Sequence, residues 1–311
     1  MNEFDLVLPA AVDIREVGMR DGLQLEAPLP LDAKLAMLEA LVATGVRRIE
    51  ATSFVSPGRS PRWPTPTRLP RSSPLGRRAL VGAGGQRPGS GPGGRRRRGR
   101  PRVRRVGDRR AQPGQRRAPD VGRRGRRGEI AGLAHGAGGS LEVIIATAWD
   151  CPFDGRTPIA RTVDVARAAV TAGADQLCLG DTIGTTTPLR VVQLLDAVRR
   201  ACPGVPVGVH FHDTRGTGQA NALAAIQAGV TQLDASVGGL GGCPFAPGAS
   251  GNIATEELVY LLEESGVRTG LDLDAVLAAA RVTEDAVGHE LPSSLYRAGG
   301  RSVPRPAPDA S

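Results

Sequence analysis

Short apolar runs alternate with amphipathic helices at nearly constant intervals, and this recurrence limits the chain to few folds. VDIREV (12–17), VRRIEATSFVSP (46–57), the run from Leu141 to Thr147, DQLCLGD (175–181), VPVGVHFHD (205–213) and TQLDASV (231–237) read as strands. Helices are expected over Leu31–Thr44, with Asp32 as cap and Gly45 as stop, and over Ile159–Ala172, Pro188–Ala201, Gln219–Ala228 and Thr255–Ser265. Taking strand centres at Ile14, Ile49, Ile144, Cys178, Val209 and Asp234, the steps are 35, 95, 34, 31 and 25 residues. An eight-stranded barrel of ~250 residues needs ~31 residues per strand and helix, so the long step is three ordinary ones. Six strands in place and two absent predict an α/β protein, a TIM (β/α)8 barrel with strands 3 and 4 missing or disordered. It forms a single domain over 1–298, followed by a Pro-rich, disordered tail over 299–311.

The long step has its own composition. Residues 59–137 hold 23 Arg, no Lys, 3 acidic residues, 16 Gly and 10 Pro, a net charge of +20; the other 232 residues carry −11. Such a block has little apolar area with which to offset the entropy of ordering, so it is expected to be disordered. The overall charge of +9 is therefore a property of one segment. The run RRRRGRPRVRR, with only Trp63 as a nearby aromatic, matches no recognition motif, and binding to nucleic acid through it would be nonspecific charge attraction. No specific nucleic-acid partner is expected.

Other classes are excluded more simply. Cys151, Cys178, Cys202 and Cys243 form no C-x-x-C pair and no regular spacing, which fits reduced thiols in a cytoplasmic protein. The first residues lack a basic segment followed by a long apolar run, so no targeting peptide is expected. Nowhere do eighteen apolar residues stand together, so no membrane span is expected. A homo-oligomer is compatible with the sequence, which is silent on its size.

The polar residues with chemical potential fall after strand ends. Arg20 and Asp21 follow strand one in the glycine-containing loop GMRDGLQLE, Glu50 lies near the end of strand two, and Asp181 follows strand six. His210 and His212 end strand seven, and Cys243 and Asn252 lie in the glycine-rich loop after strand eight. In a βα barrel all of these share the C-terminal face, where such enzymes place their active sites. A strand's period of two sends His210 and His212 to one face and Phe211 to the other. Two imidazoles so placed can bind one divalent metal, with Asp213 and Asn252 as nearby oxygen donors. Each feature has a plainer reading. The histidines can be ordinary strand-end residues, Arg20 and Asp21 a surface ion pair, Glu50 a core anchor and Cys243 a packed small residue. Asp181 reads as structural.

EVGMRDGLQLE, ATSFVSP, CPFDG, GDTIGTTTP, HFHDTRGTGQANA and above all GGLGGCPFAPGASGNIATEELVYLLE together resemble the hydroxymethylglutaryl-CoA lyase family, over residues 12–58 and about 140–298. The resemblance implies a metal-dependent carbon–carbon lyase of leucine degradation that cleaves an acyl-CoA thioester. The substrate is 3-hydroxy-3-methylglutaryl-CoA or a related 3-hydroxyacyl-CoA, split by a retro-Claisen step into acetyl-CoA and acetoacetate. It also implies Mg²⁺ or Mn²⁺ held by Asp21, His210, His212 and Asn252. Arg20 would polarise the thioester carbonyl, Glu50 would assist, and His210 would be both ligand and proton exchanger. Cys243 would ride on a loop covering the substrate, and Gln24 would help to position it. Alternatives are a condensing enzyme or aldolase of the same barrel group, against which the Cys-bearing loop speaks, and a non-catalytic relative.

Against this pattern the Arg-rich block stands where the third and fourth units belong, with the right length and the wrong content. A GC-rich coding sequence read out of frame yields mostly Arg, Gly, Pro and Ala, so residues 59 to about 137 are expected to be frame-shifted, with the frame restored near Gly138. The other two reading frames of the gene test this: one must encode strands and amphipathic helices. As it stands, the chain is expected to leave open edges on strands two and five, to be poorly soluble, and to turn over little or no substrate.

Overall fold

A computed structural model describes residues 7–55, 79–85, 104–106, 121–242 and 251–299. Eight strands form one sheet: β1 (Asp13–Glu16), β2 (Arg48–Val55), β3 (Ala79–Gly85), β4 (Arg104–Val106), β5 (Glu142–Ile145), β6 (Gln176–Asp181), β7 (Val207–Phe211) and β8 (Gln232–Ala235). All neighbouring pairs are parallel, in the order β3-β2-β1-β8-β7-β6-β5-β4. Every strand thus lies beside its sequence neighbour or, for β1 and β8, beside the other end of the series, which is the order of a (β/α)8 barrel. β3 and β4, at the two ends of the hydrogen-bonded order, touch each other.

Helix α1 (Leu31–Ala43) lies between β1 and β2; α2 (Val121–Gly136), α3 (Ile159–Thr171), α4 (Pro188–Ala201) and α5 (Gly218–Gln227) precede β5, β6, β7 and β8 in turn; and α6 (Thr255–Glu264), α7 (Leu273–Val287) and α8 (Ser294–Ala298) follow β8. Outward strand residues such as Ile14, Leu177, Leu179, Val209, Phe211 and Leu233 pack against the helices in the main core. A second cluster joins α1, through Met37, Leu38 and Leu41, to Ala279 and Ala280 of α7. Asp272 caps α7, its side chain accepting from the Ala275 N–H at 3.1 Å, and Gly288 ends that helix in the left-handed region. Among the described residues no helix is long and apolar enough to cross a membrane.

Two expectations need correction. Strands 3 and 4 are not missing: β3 is ALVGAGG, the short apolar run of the Arg-rich block, and pairs with β2 over its whole length, while β4 pairs with β5. Ladder bonds are made by backbone groups, so a strand position can be filled without the usual branched side chains. β2 and β5 therefore have partners, and the aggregation expected from their open edges loses its basis. Within the block α2 is also helical; the rest of 59–137 and the tail from residue 300 lie outside the described residues. The second correction is local. Asp32 does not cap α1, whose N-cap is Pro30; it sits in the first turn and accepts from the Ala33 N–H at 3.0 Å.

Candidate metal centre

The end of β7 and the segment 251–255 build the heart of the site. Val207–Phe211 is buried throughout, with Val209 and Phe211 turned to the helices, so His210 and His212 face the barrel axis. Their rings lie 5.2 Å apart. From Gly251 the chain runs alongside the ends of β7 and β8. The Asp213 N–H donates to the Gly251 carbonyl at 3.0 Å, the Ile253 N–H to Phe211 at 3.1 Å and the Ser236 N–H to Ile253 at 3.0 Å. This pairing sets Asn252 opposite His212. Gly251 permits it, because a Cβ there would lie 2.0 Å from the Gly239 carbonyl oxygen and 2.8 Å from the Gly241 nitrogen.

Asp21, at the turn after β1, completes a convergent set. Its Oδ2 lies 3.8 Å from His210 Nε2 and 3.6 Å from His212 Nε2, and one ligand atom from each of the three buried residues lies within 4.8 Å of the others. Asn252 comes to the same point, its amide nitrogen donating to Asp21 Oδ2 at 3.3 Å and to the Leu240 carbonyl at 3.1 Å. The residues read as a ligand set from strands one, seven and eight are therefore together. Asn252 presents its nitrogen, not its oxygen, to Asp21; the buried oxygen has no hydrogen-bond partner among the described residues, and nor does His210 Nε2.

Arg20 and Glu50 flank this point. The Arg20 guanidinium donates to Asp21 Oδ1 through Nη1, and its Nε lies 3.3 Å from Glu50 Oε1, all three side chains being buried. Burial pushes the Glu50 carboxyl up while Arg20 and Arg15 pull it down. Glu50 is thus an anchor for Arg20, and Arg20 is gripped from two sides. Gln24 sits half-buried on the turn Gly22–Gln24. Cys243 lies outside the described residues.

Two further acids are structural. Asp181 accepts the N–H groups of Thr185 (3.1 Å) and Thr186 (2.9 Å); burial raises its carboxyl and these bonds oppose the rise. Asp213, read as a nearby oxygen donor, is instead used locally: its Oδ1 accepts the Gly218 N–H at 2.6 Å at the start of α5.

Sequence reasoning missed the layer beneath. Asp234 on β8 receives Arg15 Nε at 2.8 Å and Nη2 at 2.7 Å, and its Oδ2 lies 3.2 Å from His210 Nδ1. Arg15 Nη1 also donates to Glu142 on β5. Burial alone would raise the Asp234 carboxyl, but Arg15 and His210 bring it well below the ordinary carboxylate range. The signal was present as charged residues at interior-facing positions of three strands. With Nδ1 beside Asp234, His210 Nε2 is the ring atom turned toward Asp21.

The set fits a divalent cation on two grounds. Imidazole nitrogen and carboxylate oxygen suit a borderline to hard ion. The second ground is the pair of buried polar atoms at the same point, the Asn252 oxygen and His210 Nε2, which have no hydrogen-bond partner among the described residues.

A family model described as HMGL-like matches residues 131–283, beginning as the Arg-rich block ends. The Bacillus subtilis hydroxymethylglutaryl-CoA lyase is 44% identical over 149 residues, 48% of this chain and 50% of that protein. The (R)-citramalyl-CoA lyase of Chloroflexus aurantiacus is 45% identical over 157 residues, 50% of each. The chain thus aligns with about half the length of these two relatives. The bovine mitochondrial hydroxymethylglutaryl-CoA lyase aligns over 93% of this chain and 90% of its own length at 34% identity. Among solved structures, the HMG-CoA lyase from Acinetobacter baumannii in complex with coenzyme A and 3-methylmalate superposes with a TM-score of 0.78 at 29% identity, covering 99% of this chain and 100% of that one.

Proposed function

The chain belongs to the hydroxymethylglutaryl-CoA lyase family, and from that premise we propose that its barrel, one domain over 1–298, cleaves the carbon–carbon bond of a 3-hydroxyacyl-CoA. The observation that carries the reading is the meeting of Asp21, His210 and His212 at the C-terminal mouth, with Asn252 and Arg20 in contact with the same aspartate. Asp21, His210 and His212, with Asn252 through its amide oxygen once turned, would hold Mg²⁺ or Mn²⁺. When bound, the ion supplies a Lewis acid for the substrate's hydroxyl and carboxylate oxygens.

The chain's own groups do the remaining work. Arg20, oriented by Glu50 and Asp21, is a fixed cation for the oxygen that gains charge as the thioester enolate leaves. One such donor is typically worth ~3 to 4 kcal/mol. Because Arg20 and both its partners are buried, water screens the electrostatics there little. Gln24, on the same turn as Asp21, would help to position the acyl chain, and Cys243, next after Gly242 in the sequence, would cover the substrate. The products from 3-hydroxy-3-methylglutaryl-CoA are acetyl-CoA and acetoacetate. The buried, unbridged thiols of Cys151, Cys178 and Cys202 support a reducing compartment, and we assign the reaction to the cytoplasm.

Two substrates merit direct comparison, because relatives at 44% and 45% identity are named for different thioesters. The experiment offers 3-hydroxy-3-methylglutaryl-CoA and (R)-citramalyl-CoA, each with Mg²⁺ or Mn²⁺, and measures acetyl-CoA. It uses this chain and a version with block 59–137 restored to the alternative frame. Cleavage of the first substrate, slow in this chain, faster with the block restored and abolished by EDTA and by Asp21→Asn, is the expected result. Absence of acetyl-CoA from both versions, each shown to bind Mn²⁺, would overturn the proposal.

A further inference from the structure

The barrel interior below the metal centre is charged, where branched apolar residues usually fill such a cylinder. Arg15 from β1, Glu142 from β5 and Asp234 from β8 are buried there at 2%, 8% and 4% exposure. Gln176 of β6 donates to Glu142 Oε1 at 2.9 Å and also contacts Gln232. Buried ion pairs of this kind are a weak source of stability, since desolvation offsets much of the attraction. Their arrangement points to another use. Arg15 is held from both sides, by Glu142 on Nη1 and by Asp234 on Nε and Nη2. Asp234 in turn meets His210 Nδ1.

We propose that Arg15 and Asp234 are positioning residues that fix the tautomer of His210. Both oxygens of Asp234 accept from the Arg15 fork, so the group is a pure acceptor toward the imidazole. A neutral imidazole has one N–H, and the proton must sit on Nδ1 to satisfy Asp234. Nε2 is then left with its lone pair, 3.8 Å from Asp21 Oδ2 and without a hydrogen-bond partner among the described residues. Glu142 completes the device by keeping the guanidinium in the one orientation that engages both Asp234 oxygens. As to the cation, this rests on the metal-site reading above; the tautomer itself does not.

The test separates the two. Long-range ¹H–¹⁵N correlation spectra of the metal-free protein assign the tautomers of its four histidines at neutral pH, and Mn²⁺ titration gives the affinity. His210 is expected as the Nδ1–H form in the unaltered chain. In Asp234→Asn the amide carbonyl stays with Arg15 and the NH₂ turns to His210, so the proton moves to Nε2. Mn²⁺ affinity then falls 10- to 100-fold, the usual cost of losing such an outer partner. A His210 already protonated on Nε2 in the unaltered chain overturns the proposal, and that spectrum needs no variant to fold. So does an Asp234→Asn protein that keeps Nδ1–H and binds Mn²⁺ as the unaltered chain does. If the unaltered chain binds no Mn²⁺, the metal-site reading fails, while the spectra still decide the tautomer.

Discussion

Glu16 ends β1 with its carboxylate buried, and replacing it with Gln tests how the mouth of the barrel is held together. Oε1 accepts the N–H of Gly18 at 2.7 Å and of Val237 at 3.1 Å, and Oε2 accepts the Thr255 hydroxyl at 2.6 Å. One side chain thus ties β1 to both ends of the glycine-rich segment that delivers Asn252. Burial, countered by these bonds and assisted by nearby Glu256, pushes the carboxyl up from 4.5 to about 7. In the unfolded chain Glu16 gives up its proton near 4.5; in the folded chain it keeps it until about 7. Between these values the native state binds more protons, so the contribution to stability is fully present below pH 4.5 and is lost as pH rises to about 7. At 1.36 kcal/mol per unit the loss is about 3 kcal/mol. Gln has no proton to hold, so Glu16→Gln removes the slope and leaves a constant offset of about 1 to 2 kcal/mol from altered hydrogen bonding. Urea unfolding of both proteins at several values from pH 4 to 8 reads the difference. Stability curves that run parallel across that range would refute the reasoning.

Two further substitutions check how the fold places the site. Gly251→Ala puts a Cβ against backbone atoms that cannot swing away. It should cost at least about 2 kcal/mol in urea unfolding and weaken Mn²⁺ binding through the displaced Asn252; unchanged values of both would show that the loop yields freely. Phe211→Ala removes the outward neighbour of both histidines, a fully buried ring 5.6 Å from Trp149. A loss of about 3 to 5 kcal/mol is expected by denaturant unfolding, and a loss below 1 kcal/mol would contradict the packing described.

The spacing of apolar runs made the barrel legible, because parallel strands and their covering helices repeat at a length set by geometry. Alternation along β7 likewise placed His210 and His212 on one face before any coordinates. Charge hid the rest. Arg15, Glu142 and Asp234 look like solvent-facing residues in VDIREV, SLEVII and TQLDAS, and only closure of the sheet turns their shared face into an interior where they must pair. α7 carries a start signal of its own in Asp272, whereas the role of Glu16 rests on partners more than 200 residues away. Composition averaged over 79 residues hides ALVGAGG, since strand pairing needs only seven.

The same geometry separates what the Arg-rich block affects from what it leaves alone. Asp21 follows β1, His210 ends β7 with His212 just beyond it, and Asn252 follows β8, while the supporting Glu50, Arg15, Glu142 and Asp234 come from β2, β1, β5 and β8. None lies within residues 59–137. The cation site can therefore form wherever β1, β7 and β8 are in register, and their register runs directly from Arg15 opposite Asp234 to Asp234 opposite His210. The block instead supplies β3 and β4, which pair with β2 and β5 and carry the sheet round the barrel. The block thus contributes to the barrel wall and not to the cation site. A sequence change confined to the block should move turnover while leaving Mn²⁺ affinity where it was.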